Sequence, residues 1–198
     1  MFVTFEGLDG SGKSTQAELL TEALRESGRE VVATREPGGT PLGEQIREVL
    51  LNGGDASAWT EAALFAAARA ELVERVIAPA IAGGAVVVCD RYVDSSLAYQ
   101  GIARGLGVDR VLEMNLLVIR GHLPDRTYLL HVDPDESARR VGEGGDRIER
   151  EGGDFRRRID EAYRLLARTF PERIEWVDGN RPADEISELI LADLRSNS

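Results

Sequence analysis

The run Gly7-Leu8-Asp9-Gly10-Ser11-Gly12-Lys13-Ser14 has the residue types and spacing to hold a chain of phosphates. Its glycines let the backbone turn successive N–H groups onto an anion. A helix opening at Lys13 would add the positive end of its dipole. Lys13 can reach the terminal phosphates, and the Ser14 hydroxyl can coordinate Mg2+. A second signal is Val86-Val87-Val88-Cys89-Asp90, which reads as a buried strand ending in a carboxylate. Asp90 can help to hold the Mg2+ shell or simply cap the next turn. Arg91 follows it, and an arginine beside a phosphate site can bind a second phosphate.

The composition narrows the chemistry. Of 24 Lys and Arg residues, Lys13 is the one lysine and 23 are arginine. A guanine-reading Asn-Lys-x-Asp therefore cannot exist here, and 198 residues leave no room for the extra modules of most motor ATPases. A small phosphotransferase rich in arginine remains. The net charge of −11 disfavours generic binding to nucleic acid or anionic membranes. One cysteine, Cys89, excludes a disulfide framework and a zinc site built on several cysteines. His122 and His131 leave little for histidine-metal chemistry. No run approaches the ~18 apolar residues of a membrane span. Phe2-Val3-Thr4-Phe5 follows no basic segment, so no signal peptide and a cytoplasmic location are expected.

The elements that must position these residues alternate. Apolar, β-branched runs predict strands over Phe2–Glu6, Glu30–Thr34, Ala85–Cys89, Thr127–Val132 and Arg173–Val177. Helical patterns lie between them: Lys13–Ser27, Leu42–Leu51, Ser57–Ile81, Ser95–Leu106, Asp109–Ile119, Pro134–Val141, Asp154–Ala167 and Ala183–Leu194. Pro79 should end or kink the long third one. Five strands joined by helical crossovers predict an α/β fold: a five-stranded, mostly parallel sheet flanked by helices in three layers. The second and last strands are the least hydrophobic and should lie nearer the edges. Gly142-Glu143-Gly144-Gly145 and Gly152-Gly153 bracket an arginine-bearing segment, which reads as a lid over about 140–153 or as a solvated loop.

Further motifs give the reading a family. They are Phe5-Glu6-Gly7 running through Lys13-Ser14-Thr15, Thr34-Arg35-Glu36-Pro37-Gly38-Gly39-Thr40-Pro41, Leu64-Phe65 with Arg69, Asp90-Arg91-Tyr92 with Ser95-Ser96-Leu97-Ala98-Tyr99-Gln100-Gly101, and Asp146-Arg147-Ile148-Glu149. In this order, from Phe2 to about Asp193, the chain resembles the thymidylate kinases, P-loop nucleoside monophosphate kinases. The resemblance implies one kinase domain over 1–198 with a small mobile lid. It implies ATP-dependent phosphorylation of dTMP to dTDP with Mg2+, and a homodimer.

The same resemblance distributes roles. Gly7, Asp9, Gly10, Ser11, Gly12, Lys13, Ser14 and Thr15 would hold the ATP phosphates, with Arg140 added from the lid. Ser14 and Asp90 would hold the metal. Arg47 and Arg91 look like clamps on the acceptor phosphate, work that suits a planar guanidinium. Phe65 looks like the ring that stacks on thymine; among Leu64 and Ala66–Ala68 it can also belong to the core, and both can be true. Arg69, at i+4 from it, could donate to a thymine carbonyl. Ser95, Ser96 and Gln100 resemble residues lining the base pocket, and Tyr99 the residue against the sugar. Glu36 and Asp9 resemble the acidic residues near the acceptor sugar, phosphate and metal. The catalytic set is then Lys13, Arg91, Asp9 and a lid arginine. The phosphate loop has glycine at position 10, where some relatives place an arginine, so the lid must supply one: Arg147 first, Arg140 second.

Overall fold

The computed structural model of the chain describes residues 1–142 and 147–196. Five strands, β1 (Phe2–Glu6), β2 (Val31–Arg35), β3 (Val86–Asp90), β4 (Arg126–His131) and β5 (Ile174–Asp178), form one sheet in the order β2-β3-β1-β4-β5. Every neighbouring pair is parallel. Parallel pairing puts helices on both faces, so central strands carry unbroken apolar runs and edge strands do not. Val86, Val87, Val88 and Cys89 of β3 are wholly buried, whereas β2 and β5 alternate and lie at the two edges, as their sequences predict.

On one face, α1 (Lys13–Glu26) and α9 (Ala183–Ser196) cover Val3, Phe5, Val86, Val88 and Leu130 with Leu20, Ile186 and Ile190. The other face carries α2 (Pro41–Asn52), α3 (Ala58–Leu72), α4 (Ala78–Ala82), α5 (Val93–Ser96), α6 (Val108–Ile119), α7 (Pro134–Val141) and α8 (Gly153–Thr169). Phe2, Val87, Leu72, Ile77, Tyr92 and Ile119 form one core there, and Leu97, Val111, Leu129, Phe155 and Tyr163 another. A fully buried valine contributes about 1.5–3 kcal/mol relative to exposure. The three valines of β3 therefore make a stiff mount for Asp90 at its end.

Two expected helices are interrupted. The helix predicted over 57–81 passes from α3 into a wider turn, Val73–Ile77, before α4. There the Ala78 N–H reaches back five residues to the Val73 carbonyl, which accommodates Pro79 one position later. The helix predicted from Ser95 likewise widens over Leu97–Ala103. Residues 143–146, including the Asp146 of the last quoted motif, lie outside the described residues.

Candidate active site

The site lies beyond the C-terminal ends of β1 and β3, where open parallel sheets bind ligands. The loop after β1 is built from backbone. Gly7 (φ 137°), Gly10 (φ 75°) and Gly12 (φ 97°) adopt conformations that favour glycine. A Cβ on Gly10 would stand 3.0 Å from the Arg140 Cβ, so α7 packs directly on the loop and Gly10 makes room for it. The Ser137 hydroxyl of α7 also donates to the Asp9 carbonyl at 2.7 Å.

Lys13 opens α1 and is 6% exposed. Its ammonium donates to the Leu8 carbonyl at 2.8 Å and lies 3.9 Å from the Asp9 carboxylate. Burial, with Arg91 nearby, pulls the Lys13 pKa down to about 8 against the nearby carboxylates. Burial would raise Asp9, but Arg91 and Lys13 outweigh it and hold this carboxyl at about 2. Ser14 Oγ donates to Asp90 Oδ2 at 2.5 Å. Asp90 Oδ1 and Ser11 Oγ are buried with no hydrogen-bond partner among the described residues. A buried polar group left unpaired costs about 1–3 kcal/mol, so both fit a bound ligand.

One cavity of about 640 Å3 joins this loop to the residues expected to hold the acceptor. Asp9, Gly10, Gly12, Lys13, Ser14, Thr15 and Asp90 line it from the phosphate side. Glu36, Arg47, Phe65, Arg91, Ser95, Ser96, Tyr99 and Gln100 line it from the other, with Arg140 reaching in from α7. Arg91 has φ 67°, strained for a residue with a Cβ, a cost met by the groups that fix it. Its guanidinium donates to Asp9 at 2.5 Å, Ser95 Oγ at 3.1 Å and Tyr163 Oη at 3.2 Å, and lies 5.4 Å from the Tyr99 ring centre. Arg47 donates to the Pro37 carbonyl at 2.8 Å, just after the cis Glu36–Pro37 peptide. Ser95 and Ser96 stand four residues before Tyr99 and Gln100, so α5 and its widened continuation turn all four toward one wall.

Two arginines expected at the site, Arg69 and Arg147, lie outside the cavity lining. Arg69 is 1% exposed and its five donors are all taken: Glu36 Oε2 twice, Ser96 Oγ, Asn115 Oδ1 and the Tyr92 carbonyl. It fixes Glu36 and Ser96, both of which line the cavity. Burial pushes Glu36 up to about 7 against the pull of Arg69. Arg147 is engaged at the end of α2 and at α3. Its guanidinium donates to the Leu50 carbonyl at 2.9 Å and Glu61 Oε2 at 2.7 Å, and its backbone N–H to the Leu51 carbonyl at 3.1 Å. Arg140, near the end of α7, stands at the loop, donating to the Gly179 carbonyl at 3.1 Å and lying 3.4 Å from the Gly10 carbonyl.

Sequence reasoning missed the groups behind these side chains. Glu6, wholly buried at the end of β1, accepts from the Tyr92 and Ser95 N–H groups, Ser95 Oγ and Tyr163 Oη at 2.6–3.1 Å. Burial and then the Asp94 charge raise its pKa. Glu61, Arg104, Asn115 and Tyr163 were missed likewise. The spacing of Glu61, Phe65 and Arg69 at successive i+4 steps was a signal that could have found the first.

The sequence profile described as thymidylate kinase matches residues 5–190. The chain belongs to the thymidylate kinase family. It is 49% identical over 191 residues to the thymidylate kinase of Symbiobacterium thermophilum, covering 95% of this chain and 89% of that one. It is 45% identical over 192 residues to a thymidylate kinase of a Thermoanaerobacter species, covering 96% and 95%. The crystal structure of thymidylate kinase from Ehrlichia chaffeensis superposes with a TM-score of 0.81 at 33% identity, covering 98% of each chain. The expected family, fold and class of enzyme, a nucleotide kinase, therefore hold.

Proposed function

We propose that the cavity transfers the γ-phosphoryl group of ATP to the 5′-phosphate of dTMP, giving dTDP for dTTP supply. The observation that carries this is the pairing, across one cavity, of a backbone phosphate cradle with two arginines and an aromatic ring. An acceptor phosphate is already an ionised nucleophile, so no general base is needed. Catalysis is positioning and charge neutralisation. Lys13 and Arg140 serve the donor phosphates, and Arg91 and Arg47 the acceptor phosphate. Phe65 stacks on thymine, Gln100 and Ser96 meet the base edge, and Tyr99 and Glu36 stand by the sugar. Asp9 holds Arg91 ready. Asp178-Gly179-Asn180-Arg181, which Arg140 touches at Gly179, borders the adenine end.

Mg2+ fits this reading. It keeps several waters and binds through one or two carboxylates beside substrate phosphates. Ser14 and Asp90, with an unpartnered oxygen, are such a donor pair. Bound there, the ion would supply positive charge to the donor phosphates. We read the chain as one domain with a lid over about 140–153. Trp59 on α3 and Leu116 and Leu117 on α6 remain exposed, which supports a homodimer. No helix among the described residues is long and apolar enough to cross a membrane. A cytoplasmic enzyme of small-molecule substrates, with neither nucleic acid nor membrane as partner, accords with the net charge of −11.

ADP formation measured with dTMP, dUMP, dCMP, AMP, thymidine and shikimate as acceptors tests the reaction. dTMP should be preferred, with turnover lost in EDTA and restored by Mg2+. Preference for thymidine, or no dTMP-dependent turnover from folded protein, overturns the reading. Light scattering of a stable monomer at working concentration overturns the dimer.

A further inference from the structure

Glu61 lies outside the cavity lining yet touches both the pocket and the lid. It sits on α3, one turn before Phe65, with only 1% of its surface exposed. Its Oε1 accepts from Gln100 Nε2 at 3.0 Å and Arg104 Nε at 3.2 Å. Its Oε2 accepts from Arg104 at 3.1 Å and Arg147 at 2.7 Å. Arg104 in turn reaches Glu151 at 2.6 Å, beyond Arg147 in the chain. One carboxylate therefore joins α3, the widened turn after α5 and the lid.

We propose that Glu61 is a positioning residue that sets base choice through Gln100 and anchors the lid through Arg147; this rests on the dTMP reading above. The argument is one of donors and acceptors. An ionised carboxylate only accepts, so Gln100 must turn its amide NH2 toward Glu61 and its carbonyl oxygen elsewhere. Gln100 lines the cavity, so the end left for a base has the polarity that position 61 dictates. An amide carbonyl accepts from the N3–H of thymine or uracil and opposes the N3 lone pair of cytosine. At the other oxygen, Arg147 is held between Glu61 and the Leu50 and Leu51 carbonyls at the end of α2. Leu51 and Ile148 both line the cavity, so the anchor also sets how the lid meets the acceptor side.

Glu61→Gln keeps the shape and removes the constraint, because a second amide can donate as well as accept. The test compares wild type, Glu61→Gln, Gln100→Ala and the double variant. The readouts are kcat, the KM values for dTMP and ATP, and the dTMP:dCMP ratio of kcat/KM. Hydrogen exchange is followed over residues 147–151. Glu61→Gln should lower the ratio about tenfold, the scale of one mispaired hydrogen bond. It should raise the KM for dTMP more than that for ATP, and speed exchange in the lid segment. In the Gln100→Ala background it should leave the ratio unmoved while exchange still quickens. A folded Glu61→Gln protein with an unchanged ratio overturns the proposal, as does an equal change in the Gln100→Ala background. If Glu61→Gln does not fold, Arg147→Ala carries the lid arm and must speed the same exchange, and Glu61→Asp, whose shorter side chain withdraws the carboxylate from Gln100, carries the pocket arm and must lower the ratio. A wild type that does not turn over dTMP defeats the reading beneath, whereas a wild type that does, with unmoved variants, defeats this inference alone.

Discussion

The two sides of the cavity are built on different principles. The phosphate side is mostly backbone: three positive-φ glycines, the first turn of α1, and one lysine held by a carbonyl of its own loop. Its groups are left open, with Ser11 Oγ and Asp90 Oδ1 unpartnered. The acceptor side is built from side chains in closed networks. Arg69 has all five donors occupied, and Glu6 and Glu61 each receive four hydrogen bonds. One side waits for its ligand to complete it. The other is largely paired before the ligand arrives, with Glu36 Oε1 the open buried oxygen among the acceptor-side residues described, so substitutions on the two sides should differ in degree.

The sharpest break would come from Arg69. Arg69→Met leaves Glu36 buried without its partner and strips Ser96 and Asn115 of a donor. Breaking a buried pair in this way costs about 3–5 kcal/mol of stability. Urea unfolding should show that loss. An unchanged midpoint would mean that the acceptor network contributes nothing to the fold, and the contrast between the two sides would fail.

Lys13→Met tests the opposite side. Removing a charge aimed at the transferred phosphoryl should cost about 10³-fold in kcat, by analogy with loss of a preorganised donor. Relieving a buried ammonium should leave the unfolding midpoint in place or raise it. A large loss of stability would show that the phosphate side is as closed as the acceptor side.

Arg140 and Arg147 divide along the same line. Arg140 touches the phosphate loop, and Arg147 is locked into the Glu61 cluster. Arg140→Ala should lower kcat about 10²-fold. Arg147→Ala should lower it far less, its effect falling on lid exchange. Equal kcat losses from single-turnover measurements would erase the distinction.

The contrast also explains what the sequence could reveal. The phosphate loop is eight consecutive residues, so spacing alone fixes its geometry, and Lys13, Ser14 and the Asp90 strand end were legible at once. The strands and the edge position of β2 and β5 followed from apolar patterning. The acceptor networks join residues far apart in the chain: Glu36 to Arg69, Arg69 to Asn115, Glu61 to Arg147. No local period records such contacts. Arg69 could thus be placed on the correct helix face from its i+4 relation to Phe65, but not seen to be exhausted by its neighbours. The contact of Arg147 with Glu61 was hidden for the same reason, since Glu61 lies 86 positions before it. The widened turn at Val73–Ile77 was foreshadowed by Pro79, whereas that at Leu97–Ala103 has no comparable marker.

Phe65 gives the smallest effect and the finest test, because it belongs to both readings. It packs against the core formed by Tyr99, Phe155 and Tyr163 and also lines the cavity. Its ring is only partly buried, so truncation leaves a surface that water or ligand can enter rather than a sealed void. Phe65→Ala should therefore spare much of the stability that a core phenylalanine would lose, about 3–5 kcal/mol. A base–aromatic stack is worth about 1–3 kcal/mol, so the KM for dTMP should rise about tenfold with kcat nearly kept. An unchanged KM with a large drop in the unfolding midpoint would assign the ring to the core. The acceptor side would then recognise the base by its polar edge alone, through Gln100 and Ser96.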